Sequence, residues 1–185
     1  MRTLSILFVL LFLFSCSPES DNAVVIGDSS KNYTIIKPEP AIEITTTHQD
    51  SLDLNSDGIF EIKFIISPIQ TSTTEPGSKT EIHTKNKLQI LLSILNEFPD
   101  TLRIKSVLNC DSHWSGLEPD WTGMESFTFL LQSYACYTYF HCLGDGNFLN
   151  VSGKYVGYKI EEKYGWILID SSTSGIRIKE YTVLK

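Results

Sequence analysis

Residues 154–184 read KYVGYKIEEKYGWILIDSSTSGIRIKEYTVL. Three segments within this run, KYVGYKIEE, KYGWILID and IRIKEYTVL, follow one another as strands, and a tight hairpin is expected near Glu161, Glu162 and Lys163. The same period-two pattern extends back along the chain. In AIEITTT (41–47), Ile42 and Ile44 share a face. In IFEIKFIIS (59–67), alternation places Phe60, Ile62, Phe64 and Ile66 inward, with Glu61 and Lys63 outward. DTLRIKSVL (100–108) and ESFTFLLQSYACYTYF (125–140) are strand-like, whereas the second half of TEIHTKNKLQILLSIL (80–95) suits either a short helix or a buried strand. Many strands, frequent turn signals and no long amphipathic helix point to an all-β chain. The expected architecture is a single sandwich or jelly-roll-like domain over residues 41–185.

The first residues have a different character. MRTLSILFVLLFLFSC carries one positive charge, at Arg2, followed by a mostly apolar run from Leu4 to Phe14. A membrane-spanning helix needs about 20 apolar residues, so this shorter run fits the hydrophobic region of a secretory signal. Leu13-Phe14-Ser15-Cys16 resembles the lipobox of bacterial lipoproteins, with cleavage before Cys16 and diacylglycerol on its thiol. Residues 1–15 are thus read as a lipoprotein signal peptide. Each acyl methylene buried in a bilayer contributes about 0.8 kcal/mol to anchoring. Residues 17–40 are polar, carry three prolines and read as a tether behind the lipidated cysteine. Ser17, rather than Asp, follows Cys16, so no simple inner-membrane retention signal is present and the outer membrane is the expected location. Whether the periplasmic or the surface face is occupied stays open.

The formal net charge is −7 and no Lys/Arg cluster occurs, which argues against nucleic acid as a partner. No G-x-S-x-G, H-E-x-x-H or Gly-rich phosphate loop is present, so the chain reads as non-enzymatic, without a nucleotide or redox cofactor. With Cys16 assigned to lipid, Cys110, Cys136 and Cys142 remain, and export favours a disulfide among them. Cys136 and Cys142 would lie roughly 20 Å apart on one straight strand, too far to bridge. A bond between them requires a turn. Pairing of Cys110 with one of the two is favoured, and which one is left open.

DLNSDGIFEIKF (53–64) has the opening of a calcium loop. Asp53, Asn55 and Asp57 occupy positions 1, 3 and 5, Gly58 supplies the sharp turn at 6, Ile59 offers its carbonyl at 7, and Glu61 stands at 9. Position 12, where an EF-hand places a bidentate glutamate, is Phe64. An alternating strand follows the loop where an EF-hand would have a helix. The pattern is therefore closer to the D-x-[DN]-x-D-G-x-x-[DE] loops between strands of integrin-type and related extracellular repeats, closed by Glu61. The alternative is a hairpin turn in which Asn, Asp and Gly supply turn geometry alone.

LDLNSDGIFEIKF together with GKYVGYKIEEKYGWILID resembles a group of secreted or lipid-anchored proteins of Bacteroidota-type bacteria. Their pattern is D-L-N-x-D-G-x-x-D-F, later K-Y-[aliphatic]-G-x-[KR]-[apolar], then Y-G-W-[apolar]. Lys154 to Ile160 match the second motif and Tyr164 to Ile167 the third, while Glu61 replaces the more usual Asp. The resemblance covers roughly residues 41–170. It implies a β-rich extracytoplasmic domain of unassigned activity and supplies no catalytic residues. Gly157 and Gly165 are expected at close approaches or bulges of paired strands, and Tyr155, Tyr164 and Trp166 in the sandwich core.

Two further constellations carry weaker signals. Cys110, His113, His141 and Cys142 are zinc-ligand types, but His141 and Cys142 are adjacent and would face opposite sides of a strand. In HWSGLEPDW (113–121), Trp114, Glu118, Asp120 and Trp121 combine aromatic faces with acids around Gly116 and Pro119, which suits a glycan- or peptide-binding loop. The leading expectation is a lipid-anchored cell-envelope β-sandwich stabilised by one calcium ion. A surface glycan- or peptide-binding module using the Trp114–Trp121 loop is the alternative, with a glycan or an envelope protein as the expected partner.

Overall fold

A computed structural model describes residues 23–70, 77–85, 88–91, 99, 101–103, 105–108, 127–138 and 141–185, with the backbone alone at 107, 127, 129, 136–138 and 141–143. Among these residues every regular element is a strand. In chain order they are β1 (Val24–Val25), β2 (Tyr33–Ile36), β3 (Ile42–Ile44), β4 (Asp50–Leu52), β5 (Ile62–Ile69), β6 (Gly77–Thr84), β7 (Leu88–Ile90), β8 (Val107–Leu108), β9 (Phe127–Thr138), β10 (His141–Asp145), β11 (Lys154–Ile160), β12 (Lys163–Ser172) and β13 (Gly175–Leu184). One sheet has the order β10-β9-β6-β5-β4. The other has the order β2-β13-β12-β11-β7, with β3 also paired to β13. β1 and β8 form a separate two-stranded ladder. All pairings are antiparallel.

The two large sheets pack as a β-sandwich around one apolar cluster. Ile62, Phe64, Ile66, Ile82 and Leu131 enter it from the first sheet; Val156, Tyr158, Trp166, Ile167, Ile169, Ile176 and Ile178 enter from the second. Strand β13 keeps the expected alternation, burying Ile176, Ile178, Glu180, Thr182 and Leu184 in turn. Strand β11 does not alternate: Tyr155 to Lys159 are all buried. The reason is a second covering layer, since Leu91, Leu102 and Leu108 crowd the position of Gly157 on β11. Hydrogen bonds also join the sheets. Gln132 Nε2 donates to the Ser172 carbonyl at 2.7 Å, and the Leu184 N–H donates to the Leu54 carbonyl at 2.7 Å.

Several sequence expectations find their place here. The three C-terminal strands are β11, β12 and β13, and Ile160 pairs with Lys163 across a two-residue turn at Glu161 and Glu162. The ambiguous segment 80–95 contributes part of β6 and then β7, so residues 88–90 are strand. Tyr155, Tyr164 and Trp166 are buried in the core. The stretch read as a tether, 17–40, holds two strands: β1 pairs with β8 and β2 with β13. Its average polarity conceals short apolar runs, and Val24, Ile26 and Tyr33 are buried. Alternation also misplaces two residues ahead of β5. Phe60, expected inward, is 57% exposed, and Glu61, expected outward, is fully buried. Both precede the ladder that begins at Ile62, so the period of β5 does not govern them.

A polar network runs through the second sheet. The Tyr158 hydroxyl donates to the Thr182 carbonyl at 2.6 Å, and the Trp166 N–H donates to Thr182 Oγ1 at 2.9 Å. Trp166 Nε1 donates to Glu180 Oε1 at 3.0 Å. The other oxygen of Glu180 meets Lys37 Nζ at 3.1 Å. Gly165, directly opposite Tyr158 in the register, makes room for that ring. A Cβ at Gly165 would fall far inside van der Waals contact with the Tyr158 ring and Thr182 Oγ1. Overpacking of this kind typically destabilises by about 1–3 kcal/mol. Gly165→Ala should therefore lower the midpoint of urea unfolding with little change in slope; an unchanged midpoint would mean the contact relaxes freely.

Candidate metal centre

The loop 53–61 connects β4 to β5, whose register ends in the pair Leu52–Ile62. It is folded by its own side chains. Asp53 Oδ1 accepts from the N–H groups of Asn55 and Ser56, at 3.3 and 2.7 Å, and Asp53 Oδ2 accepts from Gly58 N–H at 2.9 Å. Asn55 Oδ1 accepts from Asp57 N–H at 3.1 Å, and Asp57 Oδ1 from Ile59 N–H at 2.8 Å. Gly58 sits at φ 84°, a left-handed conformation that glycine tolerates best. The turn chemistry expected of Asp, Asn and Gly is therefore present.

Turn chemistry does not account for Glu61. Its backbone is fixed by two bonds, Glu61 N–H to the Leu52 carbonyl at 3.1 Å and Lys85 N–H to the Glu61 carbonyl at 2.8 Å. The side chain folds back under the loop, where Oε2 accepts from Leu54 N–H at 2.8 Å. Oε1 is buried without a hydrogen-bond partner. Leaving a buried carboxylate oxygen unsatisfied is costly. One carboxylate oxygen from each of Asp53, Asp57 and Glu61 lies within 4.8 Å of the other two. Oxygens bound to one calcium at 2.3–2.6 Å can be no more than about 5 Å apart, so this spacing fits a shared ion. Burial pushes the Glu61 carboxyl above its ordinary value, and repulsion from Asp57 and Asp53 adds to the rise; the Leu54 N–H works against it.

The acidic triad can therefore hold a metal ion, with a buried, unpaired oxygen to gain from it. Of the five residues expected at the site, Asp53, Asp57 and Glu61 come together. Asn55 is tied to Asp57, its Nδ2 donating to Asp57 Oδ2 at 3.1 Å. Ile59 takes part through its N–H, and its side chain is exposed. The donors are carboxylate oxygens, the hard ligands that suit calcium, magnesium or manganese rather than zinc. Sequence reading missed Leu54, whose N–H holds Glu61 and whose carbonyl receives Leu184 N–H. Backbone groups leave no trace in residue type. Cys16 and the signal peptide, Cys110, His113 and the Trp114, Glu118, Asp120, Trp121 group lie outside the described residues. Among the described residues no helix is long and apolar enough to cross a membrane.

No family model matches the chain, and no curated protein or solved structure matches it.

The raised Glu61 value gives a pH signature. A carboxyl whose folded-state value exceeds its unfolded one holds its proton more tightly when folded. Its stabilising contribution is full below the ordinary value of 4.5 and is lost as pH rises through the raised value. In metal-free protein, the difference in melting temperature between Glu61→Gln and the parent chain should grow in favour of the variant across that window. A difference that stays flat with pH would show that Glu61 is not held protonated by its surroundings.

Proposed function

We propose that this chain is a non-enzymatic protein of the bacterial cell envelope. In this reading, lipid on Cys16 holds it to the outer membrane, and its β-sandwich binds one calcium ion in the β4–β5 hairpin. The observation that carries the metal assignment is the buried, unpartnered Oε1 of Glu61 within an all-carboxylate triad. Calcium is favoured over magnesium because its coordination is flexible, whereas magnesium demands near-ideal octahedral geometry at 2.0–2.1 Å and gives up water reluctantly. Asp53 and Asp57 sit on a loop already closed by hydrogen bonds from backbone N–H groups to their own carboxylates, so little ordering accompanies binding. The ion's role is structural: it neutralises three crowded carboxylates at a sheet edge. The lipobox at Leu13–Cys16 supports the anchor, and the motif resemblance supports an extracytoplasmic setting.

Extracellular calcium modules bind at about 10⁻⁴ to 10⁻³ M. At 10 mM calcium such a site would contribute roughly 1.4–2.7 kcal/mol, equivalent to a rise in melting temperature of roughly 3–10 °C. Asp57→Ala should abolish that rise, and magnesium at the same concentration should produce a smaller one. No response of the parent chain to calcium would leave the loop as a turn alone. The anchor is tested separately by labelled palmitate, which should be incorporated by the parent chain and not by Cys16→Ser. Absence of label from the parent chain would remove the lipid from this reading.

A further inference from the structure

Strands β9 and β10 place two cysteines opposite one another. The register pairs Gly144 with Tyr134, Leu143 with Ala135 and Cys142 with Cys136, and shifts between His141 and Cys142. The run 125–140, read from sequence as one extended strand, is thus followed at once by an antiparallel return. Five residues separate the cysteines along the chain, and the hairpin supplies the turn that a bond between them requires. Directly opposite residues of an antiparallel pair have Cα atoms about 4.5 or 5.5 Å apart, depending on the hydrogen-bonding class of the pair. Both values lie within the roughly 4.4–6.8 Å range of disulfides. In general, directly opposite positions of an antiparallel pair share one face of the sheet, with Cβ atoms about 4.5–5.5 Å apart.

We propose that Cys136 and Cys142 are a dithiol pair that closes to a cross-strand disulfide, leaving Cys110 as the unpaired thiol. The pairing is read from the β9–β10 register, while the oxidising compartment rests on the export reading above. The oxidant is a disulfide donor, either oxidised glutathione or an oxidised dithiol protein. A thiolate of the pair attacks the donor and releases one donor thiol, giving a mixed disulfide. The second thiolate attacks that bond and releases the other donor thiol. Two protons and two electrons leave the cysteines, and the donor disulfide is reduced to two thiols. The seven-residue ring from Cys136 to Cys142 is short, so its closure restricts the unfolded chain only moderately. Reduction should lower the melting temperature by roughly 5–10 °C.

The test maps the bond. No Lys or Arg occurs between Lys105 and Lys154, so trypsin leaves all three thiols in one peptide. Chymotrypsin can cut after Tyr137, Tyr139 or Phe140, which separates Cys136 from Cys142 unless they are bonded. Full-length chain would be taken from membranes with free thiols blocked by N-ethylmaleimide. A second sample, purified reduced, would be equilibrated with oxidised glutathione before the same treatment. The expected result is a Cys136–Cys142 cross-linked peptide with Cys110 alkylated, retained in Cys110→Ser and lost in Cys136→Ser. A link from Cys110 to either residue, or three alkylated thiols after glutathione treatment, would overturn the proposal. Formation with glutathione but not in membranes would uphold the pair and count against export.

Discussion

A carboxylate is buried where β4 turns into β5, and the geometry of that corner depends on it. Glu61 Oε2 holds the Leu54 N–H, and the Leu54 carbonyl receives Leu184 N–H from the end of β13. One side chain thus links the hairpin of the first sheet to the C-terminal strand of the second. Leu54 itself is fully buried between these bonds, so the link is packed as well as hydrogen-bonded. The charge has a liability, because only one of its two oxygens is satisfied and two other carboxylates stand beside it. Without a cation, protonation is one way to relieve the crowding, which is the sense of the upward shift at Glu61.

A second buried carboxylate shows the contrast. Glu180 is nearly as buried, yet Trp166 Nε1 satisfies one oxygen and Lys37 pairs with the other. Lys37 lies just beyond β2, in the stretch whose composition suggests a tether, so the charge on β13 is matched by the strand beside it. The same strand pairing brings Tyr33 edge-on to Trp166, with ring centroids 4.9 Å apart at 75°. Such an arrangement contributes beyond area burial. Buried charges are tolerated when paired and hydrogen-bonded. Glu180 meets that condition from within the chain, whereas one oxygen of Glu61 is left unpartnered and the acidic triad around it could hold a metal ion.

These two glutamates also show how far the sequence is legible. The all-β class, the C-terminal hairpins and the loop 53–61 follow from periodicity and turn chemistry, which are local. Glu61 is recognisable as a loop-closing acid because its spacing from Asp53 is local too. Its burial is not recognisable, because alternation applies only within a ladder and Glu61 precedes one. Phe60 fails for the same reason, with the opposite outcome. Strands β1 and β2 are concealed because two- and four-residue strands among polar neighbours scarcely alter composition. Their partners, β8 and β13, lie far along the chain. The position of Cys142 against Cys136 likewise depends on a turn that the unbroken β-branched and aromatic run obscures.

The placement of the acidic loop at a sheet edge has a physical logic. Strand β4 is three residues long and terminates the first sheet, so among the described residues one side of it lacks a ladder partner. A short edge strand discourages edge-to-edge pairing, but three residues of ladder hold it weakly. The loop compensates by closing on itself through Asp53, Asn55 and Asp57 and on the second sheet through Leu54. A cation bound to Asp53, Asp57 and Glu61 would bridge the two ends of that loop, where β4 stops and β5 begins. Its effect would therefore fall on the closure of the sandwich as well as on the loop. This explains why a metal at this corner is expected to act on global stability, with Ile59 and Phe60 remaining exposed at the loop's outer side.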